Sequence, residues 1–155
     1  MTARAATKED ADWIAKLLGQ RWGSTTIVAH GEAFDLLTLP ALVADPERGL
    51  ATYRLEGNDA ELMSLDAVSP GQGVGTLLIE ALADVLREQG IGSLWVMTTN
   101  DNLAALRFYQ QRGFELRRVR PRAVHEARKL KPTIPDIGDH GIPIRDEIDL
   151  CRPLL

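Results

Sequence analysis

The chain has 155 residues, of which 45% are hydrophobic and 26% charged, values that suit one globular domain over residues 1–155 with a proper core. A net charge of −4 argues against a nucleic-acid surface, which needs clustered Lys and Arg. Residues 1–16 carry Glu9, Asp10 and Asp12 and no apolar stretch, so neither a leader nor a membrane span is expected and a cytoplasmic protein is the default.

In chain order, Ala3-Arg4-Ala5-Ala6 reads as a short first strand. Thr7 opens a stretch close to a capping box, with Asp10 where Glu or Gln is usual. The spacing predicts a helix over residues 8–20 with Ala11, Ile14, Ala15 and Leu18 inward, ending near Gly19 or Gly23. Residues 24–39 are the least legible: β-branched Thr25-Thr26-Ile27-Val28 favours extended chain, and residues 32–37 suit a helical turn. Residues 40–44 and 50–55 form a predicted hairpin around Asp45-Pro46-Glu47-Arg48-Gly49. Glu56-Gly57-Asn58-Asp59 then turns the chain into a third strand that starts at Ala60.

That strand breaks at Ser69-Pro70, and Gly71-Gln72-Gly73-Val74-Gly75 leads into a helix. Leu77, Leu78, Ala81, Leu82, Val85 and Leu86 share its predicted inner face, and Gly90 stops it. Residues 93–98 are the next strand, which completes a βαβ unit with parallel strands. Asn100 or Asp101 is the expected cap of a following helix closed by Gly113, with Phe114 lying over Tyr109. Residues 115–119 form a strand, and Val124, Ala127 and Leu130 mark a short helix stopped at Lys131-Pro132. A loop over 131–143 precedes a last strand at 144–152, whose Arg145, Asp146, Glu147 and Asp149 are expected on a solvated face or loop rim. The single cysteine, Cys151, excludes an internal disulfide and reads as a strand residue; His30, His125 and His140 match no metal spacing and read as surface or loop histidines.

Glycines between a strand and a helix let backbone N–H groups converge at the positive end of the helix dipole, which makes an anion site. A Walker loop is excluded, because Gly75 is followed by Thr76-Leu77 with no lysine. A dinucleotide fingerprint counted from Gly71 and Gly73 needs a third glycine where Thr76 stands. The tract instead resembles the pyrophosphate loop of the GNAT superfamily of acyl-CoA-dependent N-acyltransferases, Gln/Arg-x-x-Gly-x-Gly/Ala. Gly73 and Gly75 take the small positions, and Pro70 replaces the Gln or Arg. The family's second motif is matched by Asn102, Ala105, Phe108-Tyr109 and Gly113-Phe114.

The resemblance implies a mixed α/β fold with a central mixed sheet of six or seven strands, helices on both faces and a βαβ acyl-CoA-binding core. It implies acetyl-CoA as cosubstrate, with the pantetheine arm paired to backbone at Leu65, Asp66, Ala67 and Val68. The pyrophosphate is expected on N–H groups of Gly71, Gln72, Gly73, Val74, Gly75 and Thr76, with Asn102, Ala105 and Tyr109 completing the cofactor side. Pro70 has no N–H, so one contact is either lost or supplied by a neighbour. Tyr109 is the expected general acid and Glu61 the expected base. Glu61 lies ~13 Å along the strand from Leu65, on the same face unless a bulge intervenes, so water would carry the proton; Asp66 is the nearer alternative. The acceptor is expected to be a primary amine of a small molecule or protein, and a homodimer is left open. Two other classes compete: a non-catalytic acyl-CoA sensor of the same fold, kept alive by Pro70, and a dinucleotide oxidoreductase, disfavoured by Thr76.

Overall fold

The computed structural model describes residues 1–155. The strands are β1 (Thr2–Ala5), β2 (Thr26–Ala29), β3 (Glu32–Asp35), β4 (Ala41–Asp45), β5 (Gly49–Glu56), β6 (Asp59–Ala67), β7 (Ser93–Thr99), β8 (Glu115–Arg120) and β9 (Glu147–Pro153). The helices are α1 (Ala11–Trp22), α2 (Val74–Glu88), α3 (Leu103–Gln110) and α4 (Ala123–Leu130). Seven strands form one mixed sheet in the order β1-β4-β5-β6-β7-β9-β8, and β2 and β3 form a separate hairpin. Only β6 and β7 run parallel, as the crossover through α2 requires. No helix is long and apolar enough to cross a membrane.

Two apolar layers clamp the sheet. On one face Val74, Leu78, Ile79, Leu82, Ala83 and Leu86 of α2 pack against Ala51, Leu62, Leu94 and Leu150. Fully burying each large aliphatic side chain of this kind is worth about 1.5–3 kcal/mol. On the other face Ile14, Leu17 and Leu18 of α1 join Ile27, Ala29 and Leu36 over Val43, Leu50 and Met63. The inward stripes differ in detail from the periodicity. Leu17 is buried where Ala11 was expected, and Ile79 and Ala83 take the centre of α2 while Leu77, Ala81 and Val85 lie half-buried along its flank.

The illegible stretch is a β-hairpin with a following 3-10 turn, so residues 32–35 are a strand instead of part of a helical turn. The reason is period two: Ile27 and Ala29 point into the α1 core. The connection His30-Gly31 has positive φ at both residues, 55° and 73°, the two-residue loop that matches strand twist. Asn102, not Asn100 or Asp101, caps α3 by accepting from Ala105 N–H at 3.0 Å. At its other end Phe114 N–H donates to Tyr109 C=O at 3.1 Å, the expected Schellman closure.

The expectation that the charged residues of the last strand are solvated holds for Arg145 and is wrong for Asp146, Glu147 and Asp149. Glu147 and Asp149 are each 2% exposed, and Asp146 is buried. Arg120 on β8 donates to Glu147 and Asp149, and Arg118 donates to Asp149 Oδ2 at 3.2 Å. A neighbouring strand thus supplies the counter-charges that burial demands.

Candidate active site

β6 pairs with β5 along its length, but with β7 only from the Asp59–Ser93 rung to the Leu62–Val96 rung. Beyond Leu62 the two parallel strands part, and β6 presents an edge with no strand beside it. Between Thr52 and Tyr53 of β5 the register slips, so β6 carries a bulge at Met63. Its side chains therefore change step: Leu62 and Leu65 face the α2 side, Met63 the α1 side. Glu61 and Leu65 were expected on one face unless a bulge intervened; the bulge is present, and they lie on opposite faces.

On the α2 side the parting opens a groove of about 490 Å3. Leu65, Ala67, Gly71, Gln72, Gly73, Val74, Gly75, Thr76, Ala105 and Tyr109 all line it, ten of the residues expected to meet the cosubstrate. Gly73 is the N-cap of α2 at φ 75°, with no side chain capping the helix. The first bond of the helix is Leu77 N–H to Gly73 C=O, which leaves the amides before it for an anion. Gly75 is required by close approach, since a Cβ there would lie 2.8 Å from Phe108 Cζ.

The sequence reading missed a cation at this loop. Arg112 donates from Nε to Thr76 Oγ1 at 2.8 Å and stacks 3.6 Å over the Phe108 ring, lining the groove. Arg48 also reaches the loop, through Gln72 Oε1 at 3.3 Å. Uncapped helix amides beside the Arg112 guanidinium, with Arg48 held on Gln72, fit a diphosphate. The only advance signal for Arg112 was a basic residue one position before Gly113.

Three expected cofactor residues are not among those lining the groove, although the backbone of Asp66 lies between Leu65 and Ala67, which are. The Asp66 side chain turns to the α1 face, where Trp22 Nε1 donates to it at 2.9 Å. Val68 donates its N–H to Arg48 C=O, so that donor is not free for a pantetheine arm, and its carbonyl accepts from Arg21 Nη2. Asn102 acts on α3 as its cap instead of lining the groove. Tyr109 does line it, with its ring edge-on to Phe108 and Phe114 at 5.4 and 5.3 Å. Burial first, and the Asp66 charge second, push its phenol well above the ordinary value, so it stays protonated.

A second cavity, of about 470 Å3, lies on the α1 side and takes in Glu61 and Trp95, which face each other one rung before the strands part. Glu61 is 7% exposed. Its Oε2 meets His30 Nε2 at 2.6 Å and its Oε1 accepts from Arg54 Nε at 3.0 Å. Burial alone would raise the Glu61 carboxyl, but hydrogen bonds and charge from His30 and Arg54 outweigh it and hold the group below the usual range. Asp149 also lines this cavity, and its Oδ1 is buried with no partner in the protein. His30, read from the sequence as a surface or loop histidine, was the chief omission, together with Asp149.

The comparisons agree with this geometry. Residues 49–114, from the start of β5 to Phe114, match the acetyltransferase (GNAT) family. YxbD of Bacillus subtilis (strain 168), an uncharacterized protein, is 40% identical over 147 residues, 92% of each chain. The streptothricin acetyltransferase of Streptomyces lavendulae is 36% identical over 91 residues, 56% of this chain and 48% of that one. Among solved structures, yncA of Salmonella typhimurium with its cofactor acetyl-CoA superposes with a TM-score of 0.69 at 20% identity, covering 99% of this chain and 94% of that one. The parted β6–β7 edge, the glycine loop on α2 and these matches together make the chain a member of the acetyltransferase (GNAT) family.

Proposed function

We propose that the protein transfers the acetyl group of acetyl-CoA to a primary amine. The observation that carries this reading is the pairing of two unlike sites across one sheet, an anion-binding groove on the α2 face and an anionic cavity on the α1 face, at the point where β6 and β7 part. The cavity is lined by Glu32, Glu56, Asp59, Glu61 and Asp149 against Arg54 and Arg118, a balance that draws in a cationic amine. The similarity to an enzyme named for acetylating streptothricin favours a small-molecule acceptor over a protein.

In this mechanism the acceptor ammonium first loses a proton, and its nitrogen lone pair forms the C–N bond at the thioester carbonyl. The C–S bond breaks with its electron pair on sulfur. The Leu65 N–H is the donor proposed for the carbonyl oxygen as charge builds. Tyr109 gives its phenolic proton to the departing sulfur. The remaining excess proton on nitrogen restores the phenol through solvent, leaving an amide, free CoA thiol and one released proton. Glu61 acts on the deprotonation at the other face. A screen of amines, amino acids and peptides for acetyl-CoA-dependent thiol release tests the reading; matched thiol release and acetylated product are expected, and no transfer to any amine would overturn it.

A further inference from the structure

The tip of the β2–β3 hairpin breaks a local rule. Ala29 pairs with Glu32, leaving His30 and Gly31 as a two-residue loop with φ of 55° and 73°. Asn-Gly or Gly-Gly suits such a loop best. A histidine there is bulkier than the turn requires, and its side chain leaves the tip to meet the β6 carboxylate of Glu61 at 2.6 Å. The hairpin is held against the same carboxylate from a second side, because Arg54, bonded to Glu61, lies 5.0 Å over the Phe34 ring of β3.

Both Glu61 oxygens are therefore occupied, one by His30 and one by Arg54. To accept a proton, Glu61 would have to give up charge-assisted contacts in a buried site. His30 lines the cavity, and its ring has a second nitrogen, Nδ1. A carboxylate holding one imidazole nitrogen fixes the tautomer and leaves the other as an acceptor.

We propose that His30 takes the proton from the acceptor ammonium, with Glu61 as its positioning residue. This deepens the amine-acetylation reading and rests on it. The proton moves from the ammonium nitrogen to Nδ1, Nε2–H stays on Glu61, and solvent later removes the Nδ1 proton. The groups that set the His30 titration come from every strand around it. The Glu61 hydrogen bond raises it most; burial lowers it; the Glu61 charge and Asp149 raise it, and Arg120 lowers it. Glu32 on β3, Arg54 and Glu56 on β5, Asp59 on β6 and Arg118 on β8 complete the charged lining. The result lies above the ordinary imidazole value of 6.5, so the rate rises with pH through a limb above 6.5.

The test uses the whole chain and first establishes that the parent acetylates an amine; if it acetylates none, the function itself falls before His30 is in question. His30→Gly suits the positive φ and should fold. Turnover should drop by about 10²- to 10³-fold, the range for a lost general base, with acetyl-CoA affinity by calorimetry unchanged. The acid limb should vanish, and added imidazole should restore at least ~10-fold of the rate in proportion to its unprotonated form. In Glu61→Gln the limb should move to lower pH without vanishing, because His30 loses the partner that raises it. A parent-like pH–rate profile in His30→Gly overturns the proposal. So does a Glu61→Gln variant that loses the limb while His30→Gly is not rescued by imidazole, since Glu61 is then the base.

Discussion

The two faces of the sheet are built by different kinds of sequence. The α2-side groove comes from one stretch of β6, the glycine loop and the start of α2, together with α3, so near neighbours in the chain line it. The α1-side cavity draws His30 from a hairpin tip, Arg54 from β5, Glu61 from β6, Trp95 from β7, Arg118 from β8 and Asp149 from β9. A site whose parts are local is written as a motif with spacing. A site assembled from five strands and a hairpin tip is written only in the sheet order, which no short window contains.

Substitutions on the groove side should act on the cosubstrate and leave the acceptor untouched, and the sharpest is Gly73→Asp. Its Cβ would meet nothing within 4 Å, and Asp tolerates the left-handed φ of 75° better than most residues, at a cost of about 1 kcal/mol, so the fold should persist, but a carboxylate would stand where the diphosphate is proposed to bind. Acetyl-CoA affinity should fall by ~10³-fold, about 4 kcal/mol; unchanged calorimetric binding in the folded variant would remove the loop from the site. Tyr109→Phe keeps the ring against Phe108 and Phe114 and removes only the hydroxyl. A kcat lower by ~10²-fold with acetyl-CoA affinity preserved is expected, and an unchanged kcat would leave Tyr109 as packing. Arg112→Ala should weaken acetyl-CoA by ~10-fold, the loss of one charge-assisted contact. Since Arg112 also covers Phe108, a fall in melting temperature without a change in affinity would assign it to stability alone.

The smallest effect belongs to the other face and is one of pH. His30 is raised by its Glu61 bond, so its share of stability is full below 6.5 and is lost as pH rises through its higher folded value. Glu61 is held low against the burial that opposes it, so its share is full above the ordinary 4.5 and is lost as pH falls through its lower folded value. The pair should therefore stabilise most between about pH 4.5 and 6.5. Urea unfolding of the parent and of Glu61→Gln across pH 4 to 9 checks this: the difference between them should shrink towards both ends.

The same contrast decides what could be read in advance. The βαβ unit, the glycine loop, the α3 motif with its Gly113-Phe114 closure and the meander of β4, β5 and β6 follow from periodicity and turn chemistry, and the structure contains them. The β2–β3 hairpin did not, because Thr25-Thr26-Ile27-Val28 is short and His30-Gly31 is a weaker turn signal than Asn-Gly. Glu147 and Asp149 were misplaced because nothing near them in the chain announces Arg118 and Arg120 as their partners. The β6 bulge was foreseen only as a condition. It decided the face of Leu65, and with it which of the expected backbone contacts can be used.

That bulge at Met63 also bears on the order of events in turnover. By turning Leu65 one way and leaving Glu61 the other, a single strand serves two entrances on opposite sides of the sheet. On the proposed mechanism neither reactant has to depart to admit the other, and no acetylated protein intermediate is needed. Initial-rate plots against each reactant should intersect instead of running parallel, and a CoA analogue without the acetyl group should compete with acetyl-CoA but not with the amine.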